Sequence, residues 1–328
     1  MEPVDALLEI ASLLERERAS RYRAKAFRVA AAAFQDLPDD VKDDATRLRA
    51  VKGIGESTFA VIREAQSGII PTYLVELRGD VEPEIASTLR PALRGDLHAH
   101  TDWSDGTTSI SVMAAAARAL GHEYQAVTDH SPRLRVARGL TAERLHSQIP
   151  LVRAESGDGF SMLAGIEVDI LDDGALDQDD ELLSELDVVV ASVHSHLRME
   201  SRPMTARMIA AVQNPRVNVL GHCTGRLVEG DRGTRPPSQF DAAAVFAACA
   251  ENGVAVEINS RPERQDPPDE LIAIALDAGC LFSIDSDAHA PGQLSLLDHG
   301  AQRAERVGVP ASRIVTTWGL ERLLAWAD

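Results

Sequence analysis

The chain has 328 residues, of which 45% are hydrophobic and 26% are charged, as is ordinary for a globular protein. No apolar run reaches the roughly 18 residues that span a bilayer, and the acidic N-terminus lacks the basic start of a signal peptide. The three cysteines are widely spaced, which argues against a disulfide framework and fits a reducing compartment. We therefore expect a cytoplasmic protein that does not bind membranes.

The formal net charge of −18 is distributed unevenly along the chain. Residues 1–95 contain 16 acidic and 14 basic residues, a net of −2. Residues 96–328 contain 35 acidic and 19 basic residues, a net of −16. Because an acidic surface repels phosphates, this second part is not expected to bind nucleic acid broadly, but it suits a site rich in metal-binding carboxylates.

The first 80 residues show the spacing of helices and no strand pattern. Apolar residues recur at helical intervals over residues 7–14, an alanine-rich helix is predicted over residues 22–34, and another helix over residues 59–68. Residues 81–94, which contain two prolines, are predicted to form a linker. The sequence thus predicts a small all-α domain followed by a second domain over residues 95–328.

Seven short apolar or β-branched runs follow, and a helical stretch comes after each of them. The runs cover residues 96–100, 124–130, 161–170, 187–194, 217–222, 254–259 and 281–289. Strands that alternate with helices pair in parallel, because a parallel crossover needs a long connection. The prediction is an α/β fold, a closed or nearly closed (β/α)7 barrel, with its active site at the C-terminal ends of the strands.

Histidines and carboxylates stand at the ends of these runs. The candidate metal ligands are His98, His100, Asp105, His130, Glu167, His194, His222, Asp287 and His289. An isolated histidine beside a strand is usually structural, but six at corresponding strand ends together with three carboxylates favour a metal site. Nine ligands suggest two or three divalent ions with Glu167 as a bridge, and nitrogen and oxygen donors suit zinc, manganese or iron.

Clustered cations would support hydrolysis of phosphate esters. A water bound by the cluster is the predicted nucleophile, because metal ions lower the pKa of bound water to near neutrality. Arg135 and Arg226 are predicted to assist catalysis. The residues predicted to bind substrate are Arg133, Arg198, Asn259 and Arg264. For any one of these arginines, a surface role is an equally good interpretation.

The ligand pattern resembles that of the PHP (polymerase and histidinol phosphatase) family over about residues 95–328. The resemblance implies a distorted (β/α)7 barrel with a trinuclear metal site formed by the nine candidate ligands. It is strongest to the PHP domain at the C-terminus of bacterial family X DNA polymerases. The segments that carry this likeness are residues 127–132, 167–170, 192–195, 224–226 and 257–259. This branch implies removal of nucleotides or phosphates from DNA 3′ ends.

The segment Val51-Lys52-Gly53-Ile54-Gly55 resembles a helix-hairpin-helix turn. In such a turn, glycines let backbone N–H groups approach a DNA phosphate at a helix N-terminus. The turn alone is a weak signal, and a plain connection between helices is the alternative. Its setting resembles the N-terminal domain of family X polymerases, so DNA ends are the expected partner. The predicted DNA-binding residues are Arg23, Lys25, Lys52, Gly53 and Gly55.

Two departures from family X polymerases restrict the function. The chain passes from the helical part to the barrel within about 16 residues, which leaves no room for a polymerase palm. Val61 occupies the position of the Schiff-base lysine of lyase members, and valine cannot form an imine. We therefore expect a DNA 3′-end phosphoesterase, either a 3′–5′ exonuclease or a 3′-phosphatase, without polymerase activity. The alternatives are a small-molecule phosphatase of the histidinol-phosphatase type and a non-enzymatic DNA-binding module.

Overall fold

The computed structural model of the chain describes residues 1–80, 87–230 and 233–328. The chain forms two compact units. The helical unit comprises Met1–Glu84 with Ala290–Gln293, and the barrel unit comprises Ile85–His289 with Leu294–Asp328. Part of the predicted linker, residues 81–86, lies outside the described residues, and the assignment of domains to residues 1–80 and 95–328 stays a prediction.

The helical unit packs the apolar faces of its helices together. Its helices are α1 (Pro3–Arg16), α2 (Arg21–Gln35), α3 (Asp39–Lys42), α4 (Ala45–Arg49), α5 (Glu56–Gln66) and α6 (Thr72–Asp80). Leu7, Ile10 and Leu14 recur at the spacing of one helix face and are buried. Arg28 of α2 donates from Nε to Glu15 of α1 at 2.6 Å, so this arginine stabilises the helix pair.

The barrel unit alternates strands with helices. Its elements are β1 (Gly95–Asp96), α7 (Ile110–Ala119), β2 (Tyr124–Val127), α8 (Ala142–Ala154), β3 (Ser161–Asp169), α9 (Asp180–Leu183), β4 (Val188–Ser192), α10 (Ser201–Val212), β5 (Val219–Leu220), α11 (Ala242–Glu251), β6 (Ala255–Asn259), α12 (Asp269–Asp277), β7 (Leu281–Asp285), α13 (Leu297–Val307) and α14 (Leu320–Ala327). The strands form one sheet in the order β1 to β7, with every neighbouring pair parallel. The predicted seven-stranded α/β barrel is confirmed.

All seven strands are shorter than the predicted runs. β1 and β5 contain two residues each, and of the nine candidate ligands only Glu167 lies within a strand. The others follow the last paired residue of a strand or, like Asp105, a turn beyond it. The backbone therefore leaves the ladder before the ligands, which frees their side chains to converge from different strands.

The interior of the barrel changes character along the strands. Side chains alternate across a strand, so Leu163 and Glu167 face the same side, as do Ala255 and Glu257. The apolar members of this set, including Leu163 and Ala255, form their own buried cluster with Trp318. The polar members lie nearer the C-terminal ends of the strands. The apolar end fills the barrel, and the polar end forms the floor of a site.

The first and last strands meet along a seam held largely by side chains. Residues just after them, Ala99 and Ala288, form a parallel bridge, and the His100 N–H donates to the carbonyl of Ala288 at 2.7 Å. Lower down, the buried carboxylate of Asp285 accepts from the Leu97 N–H at 2.9 Å, and that of Asp96 accepts from the Ser286 N–H at 3.2 Å. Two carboxylates thus replace backbone pairing at the seam.

No helix in the described parts of the chain is long and apolar enough to cross a membrane.

Candidate metal centre

The structure brings all nine candidate ligands into one cluster at the C-terminal ends of the strands. Their donor atoms form four groups, each within 4.8 Å. The groups are His100, Asp105, His130 and His289; His98, His100 and Asp287; His98, Glu167 and His222; and His130, Glu167 and His194. Four residues belong to two groups each, so the arrangement suits several ions that share ligands.

Glu167 lies at the centre of this cluster. Its Oε1 is 2.8 Å from His222 Nε2 and 3.2 Å from His194 Nε2. Its Oε2 is 2.8 Å from His130 Nδ1 and 3.4 Å from His98 Nε2. Each oxygen therefore faces a different set of imidazoles, which is the geometry that a bridging carboxylate requires.

A tight turn returns Asp105 to the cluster. The Gly106 N–H donates to the Thr101 carbonyl at 2.9 Å, and a Cβ at Gly106 would lie 2.7 Å from the carbonyl oxygen of His100. Only glycine allows this approach. Asp105 Oδ1 reaches 3.4 Å from His289 Nε2, so the turn brings this candidate ligand beside another one.

Several donor atoms of the cluster are buried and lack a hydrogen-bond partner among the described residues. They include His98 Nε2, His100 Nε2, His194 Nε2 and both carboxylate oxygens of Glu167. Leaving a buried polar atom unpaired costs about 1–3 kcal/mol. A group of such atoms in one place therefore indicates a missing partner. Nitrogen and carboxylate oxygen donors at this spacing fit divalent metal ions.

The surroundings of His100 and Glu167 favour the neutral imidazole and the ionised carboxylate, which are the forms that bind metals. Burial, with the charges of His289 and His130, lowers the pKa of His100 to about 3, which leaves its imidazole neutral. Burial alone would raise the pKa of Glu167, but the charges of His194, His98 and His130 lower it well below its ordinary value. The glutamate is therefore ionised.

Carboxylates that were not predicted as site residues lie behind the histidines. Glu257 Oε1 is 2.6 Å from His98 Nδ1, and its Oε2 accepts from the His222 N–H at 2.5 Å. Asp169 is paired in the same way with His194 Nδ1. Such partners fix the orientation of a metal-binding imidazole and raise its basicity. Glu257 occupies the inward parity of its strand, which is the signal in the sequence that could have identified it.

Another unpredicted carboxylate holds the turn that carries Asp105. The buried Asp129 accepts from the Thr101 N–H at 2.8 Å, from the Thr101 hydroxyl at 2.5 Å and from Gln148 Nε2 at 2.6 Å. The Ser104 hydroxyl donates to the same carboxylate. Asp129 therefore sets the position of the turn rather than contacting a metal itself.

Asn259, Arg264 and Arg226, all predicted for substrate or catalysis, contact protein groups. The fully buried Asn259 donates from Nδ2 to Asp287 at 3.1 Å and to Glu257 at 3.2 Å, which favours a role in positioning these carboxylates over substrate contact. Arg264 Nε lies 3.0 Å from Asp287 Oδ2. Arg226 Nε donates to the carbonyl of Gln265 at 2.8 Å, which ties this arginine to the neighbouring loop.

The other three predicted arginines, Arg133, Arg135 and Arg198, are exposed. Arg133 and Arg135 belong to the loop that follows His130. The exposed edge of the cluster is formed by Asp105 and His289, which are 37% and 21% exposed, whereas His98 and His100 are fully buried. Substrate can therefore reach the cluster from the side of Asp105 and His289.

The predicted DNA-binding residues of the helical unit are placed at or near its surface. Arg23, Lys25, Lys52, Gly53 and Gly55 are all exposed. Gly53 has a φ of +101°. Because glycine adopts such a φ without strain, the backbone conformation alone accounts for a glycine at this position. Gly55 has ordinary dihedrals, and a Cβ there would meet no described atom within 4 Å, but its N–H already donates to the Thr58 hydroxyl at 2.9 Å.

A cleft of about 580 Å³ in the helical unit is lined by Arg23 and Gly55. Three carboxylates, those of Glu56, Glu64 and Glu76, line the same cleft. Because these charges oppose a phosphate, the cleft itself is a poor site for the DNA backbone.

The barrel and its cluster of imidazole and carboxylate donors define a metal-dependent hydrolase. A family model described as the PHP domain matches residues 96–261, and one described as a helix-hairpin-helix domain matches residues 1–67. The chain therefore belongs to the PHP family. It is a metal-dependent phosphoesterase that carries an N-terminal helix-hairpin-helix domain, as the sequence analysis predicts.

Two curated relatives differ in how much of their own length this chain spans. The chain is 36% identical over 236 residues to a protein of Bacillus subtilis named DNA polymerase/3'-5' exonuclease PolX, a match that covers 71% of this chain and 41% of that one. It thus spans less than half of this relative. It is 29% identical over 233 residues to a probable phosphatase of Vibrio parahaemolyticus, a match that covers 68% of this chain and 88% of the relative.

Among solved structures, the chain is similar to the histidinol phosphate phosphatase of Lactococcus lactis, solved with zinc, L-histidinol and phosphate. The identity is 19%, the TM-score is 0.47, and the match covers 66% of this chain and 94% of that one.

Proposed function

We propose that this chain hydrolyses phosphate esters at DNA 3′ ends, as a 3′–5′ exonuclease or a 3′-phosphatase, and that it does not polymerise DNA. The nine-ligand cluster carries the proposal, because its shared donor groups suit two or three ions of manganese, zinc or iron. The helix-hairpin-helix match and the name of the Bacillus relative support DNA ends as the substrate. DNA would reach the site through the N-terminal domain.

The divalent ions would supply the Lewis acidity that activates water and neutralises phosphate oxygens. The protein's own part is to place the donors and the substrate. Glu257 and Asp169 hold the imidazoles of His98 and His194 at a fixed tautomer, with Nδ1 committed and Nε2 directed into the cluster. Arg264, paired with Asp287, balances the charge of that carboxylate and lies where a phosphate oxygen would also be attracted.

The test offers end-labelled duplexes with a recessed 3′ end or a 3′-phosphate to protein loaded with manganese, zinc or iron. We expect release of mononucleotides or of phosphate, and loss of at least 1,000-fold in rate for the variant carrying His98→Ala and His100→Ala. Circular dichroism must show that this variant is folded. If wild-type protein releases neither product with any of the three metals, the DNA-end function is refuted.

A small-molecule phosphomonoesterase is the second candidate. It is favoured by the likeness to a probable phosphatase over 88% of that protein and by the net charge of −16 over residues 96–328, which opposes long polyanions. A panel of phosphomonoesters, including histidinol phosphate, separates the two candidates. A kcat/KM on one of these esters far above that on DNA ends would establish the second function in place of the first.

A further inference from the structure

A short loop stands directly beside the metal centre. Residues 131–139 begin immediately after His130, and both ends are pinned at this ligand. The Leu140 N–H donates to the His130 carbonyl at 2.7 Å, and the Ser131 N–H donates to the Glu167 carbonyl at 3.1 Å. A Cβ at Gly139 would lie 1.8 Å from the Ser131 oxygen, so the two ends touch. The side chains of this loop are therefore held at a fixed position next to the cluster.

The loop also has an anchor at its far end. Arg144 of α8 donates from Nη1 to the Arg138 carbonyl at 2.7 Å and from Nη2 to the Trp103 carbonyl, in the turn that carries Asp105. Ala137 is buried, with 2% of its surface exposed. The same arginine thus joins the loop to a ligand-bearing turn, and the loop is a rigid part of the rim of the site.

The charge of the loop contrasts with that of its surroundings. Residues 131–140 contain three arginines and no acidic residue, within a part of the chain whose net charge is −16. Arg133, Arg135 and Arg138 are exposed, and their guanidinium groups make no ion pair with any described residue. Asp177 approaches the loop, but its carboxylate accepts from the Arg133 backbone N–H at 2.6 Å. Three cations therefore remain available for anionic groups.

An apolar side chain stands between these cations. Val136 is 93% exposed, more than any other large hydrophobic residue in the described part of the chain. One exposed valine alone carries no meaning. A valine on a rigid turn, flanked by arginines beside a phosphoesterase site, matches the chemistry of a polynucleotide, which alternates apolar base faces with charged phosphates.

We propose that residues 131–139 form a nucleic-acid-binding loop, in which the three arginines contact backbone phosphates and Val136 packs against a base adjoining the scissile phosphate. The inference rests on the proposed action at DNA ends and names the surface that would select a polynucleotide. A phosphomonoester offers one phosphate and no second nucleotide, so it would leave Val136 and most of this charge unused.

The test compares Val136→Asp and Arg138→Gln with matched controls at exposed positions, Val112→Asp on α7 and Arg216→Gln before β5. Metal-loaded proteins are assayed on a 3′-labelled oligonucleotide and on p-nitrophenyl phosphate. We expect KM for the oligonucleotide to rise about tenfold more than KM for the small ester in both loop variants, and not in the controls. Arg138→Gln should also reduce the salt dependence of oligonucleotide binding by the equivalent of about one phosphate contact.

The two ways to fail can be told apart. If the loop variants raise KM equally for both substrates, or leave KM for the oligonucleotide unchanged, the binding loop is refuted while the DNA-end function stands. If wild-type protein cleaves no DNA, the proposed function fails, and the loop is then judged by fluorescence anisotropy with a labelled oligonucleotide. An affinity that Val136→Asp leaves unchanged, or no binding by the wild type, would then refute the inference as well.

Discussion

At the scale of single residues, the carboxylates behind the imidazoles position several of the candidate metal ligands. Glu257 contacts His98 through one oxygen and the backbone of His222 through the other, so one side chain positions two candidate ligands from different strands. Glu257 is fully buried. The residues next to it in the sequence do not explain an acidic side chain at this position, which is explained by its histidine partners on other parts of the chain.

Replacing Glu257 with glutamine should weaken metal binding without removing a ligand. The amide keeps the shape but loses the charge that raises the basicity of His98, and loss of such a partner typically costs about 10- to 100-fold in metal affinity. Competition with a metal-binding dye measures the change. The exposed Glu251→Gln on α11 is the matched control. An affinity equal to wild type in Glu257→Gln would show that this carboxylate does not support the metal site.

The sequence could identify the candidate ligands that the fold brings together, because strand parity and position in the chain are local properties. His98 and His100, or Asp287 and His289, are recognisable within five letters of sequence. The partners of these ligands are not, since Glu257 and His98 are 159 residues apart and become neighbours only in the closed barrel. The same limit explains Asn259, which the sequence offers as a substrate contact and the fold buries against Asp287.

At the scale of elements, the rim of the site depends on how helix α8 holds two loops. The guanidinium of Arg144 reaches the carbonyls of Arg138 and Trp103, one in the loop after His130 and one in the turn that carries Asp105. It also lies over the Trp103 ring, 5.8 Å from the centroid. A planar fork can bridge two backbones in this way, and a single ammonium cannot.

Arg144→Lys should therefore lower kcat/KM while leaving the fold intact. Loss of the fork frees the Asp105 turn, and a displacement of about 1 Å at a reacting centre costs up to about 100-fold in rate. We expect a loss of ten- to a hundred-fold on phosphate esters, whereas Arg153→Lys, later in α8, should stay near wild type. Steady-state kinetics provide the comparison. Full activity in Arg144→Lys would mean that the turn is held by Asp129 alone.

At the scale of the whole molecule, the metal centre belongs to one unit only. All three tryptophans, Trp103, Trp318 and Trp326, lie in the barrel unit. Their fluorescence therefore reports unfolding of the barrel, while circular dichroism at 222 nm also follows helices α1 to α6. The two signals can separate the response of each unit to metal.

Removing metal should destabilise the barrel selectively. A metal ion whose free concentration is about 1,000 times its dissociation constant stabilises the native state by about 4 kcal/mol. For a unit of this size, that corresponds to a fall of roughly 10 °C in the tryptophan-reported Tm after chelation. The circular-dichroism transition that has no counterpart in tryptophan fluorescence belongs to the helical unit, and its midpoint should not move. An unchanged tryptophan Tm after exhaustive chelation would contradict a structural contribution from metal.

The order of the strands has a consequence for how the site is built during synthesis. The two donor groups that share Glu167 draw only on residues between His98 and His222, whereas the other two groups need Asp287 or His289. A ribosome making this chain therefore completes the Glu167-centred half of the cluster about 65 residues before the rest. The remaining ligands, Asp287 and His289, directly follow β7, the strand that closes the seam beside β1. The last ligands and the last strand of the barrel are therefore synthesised together.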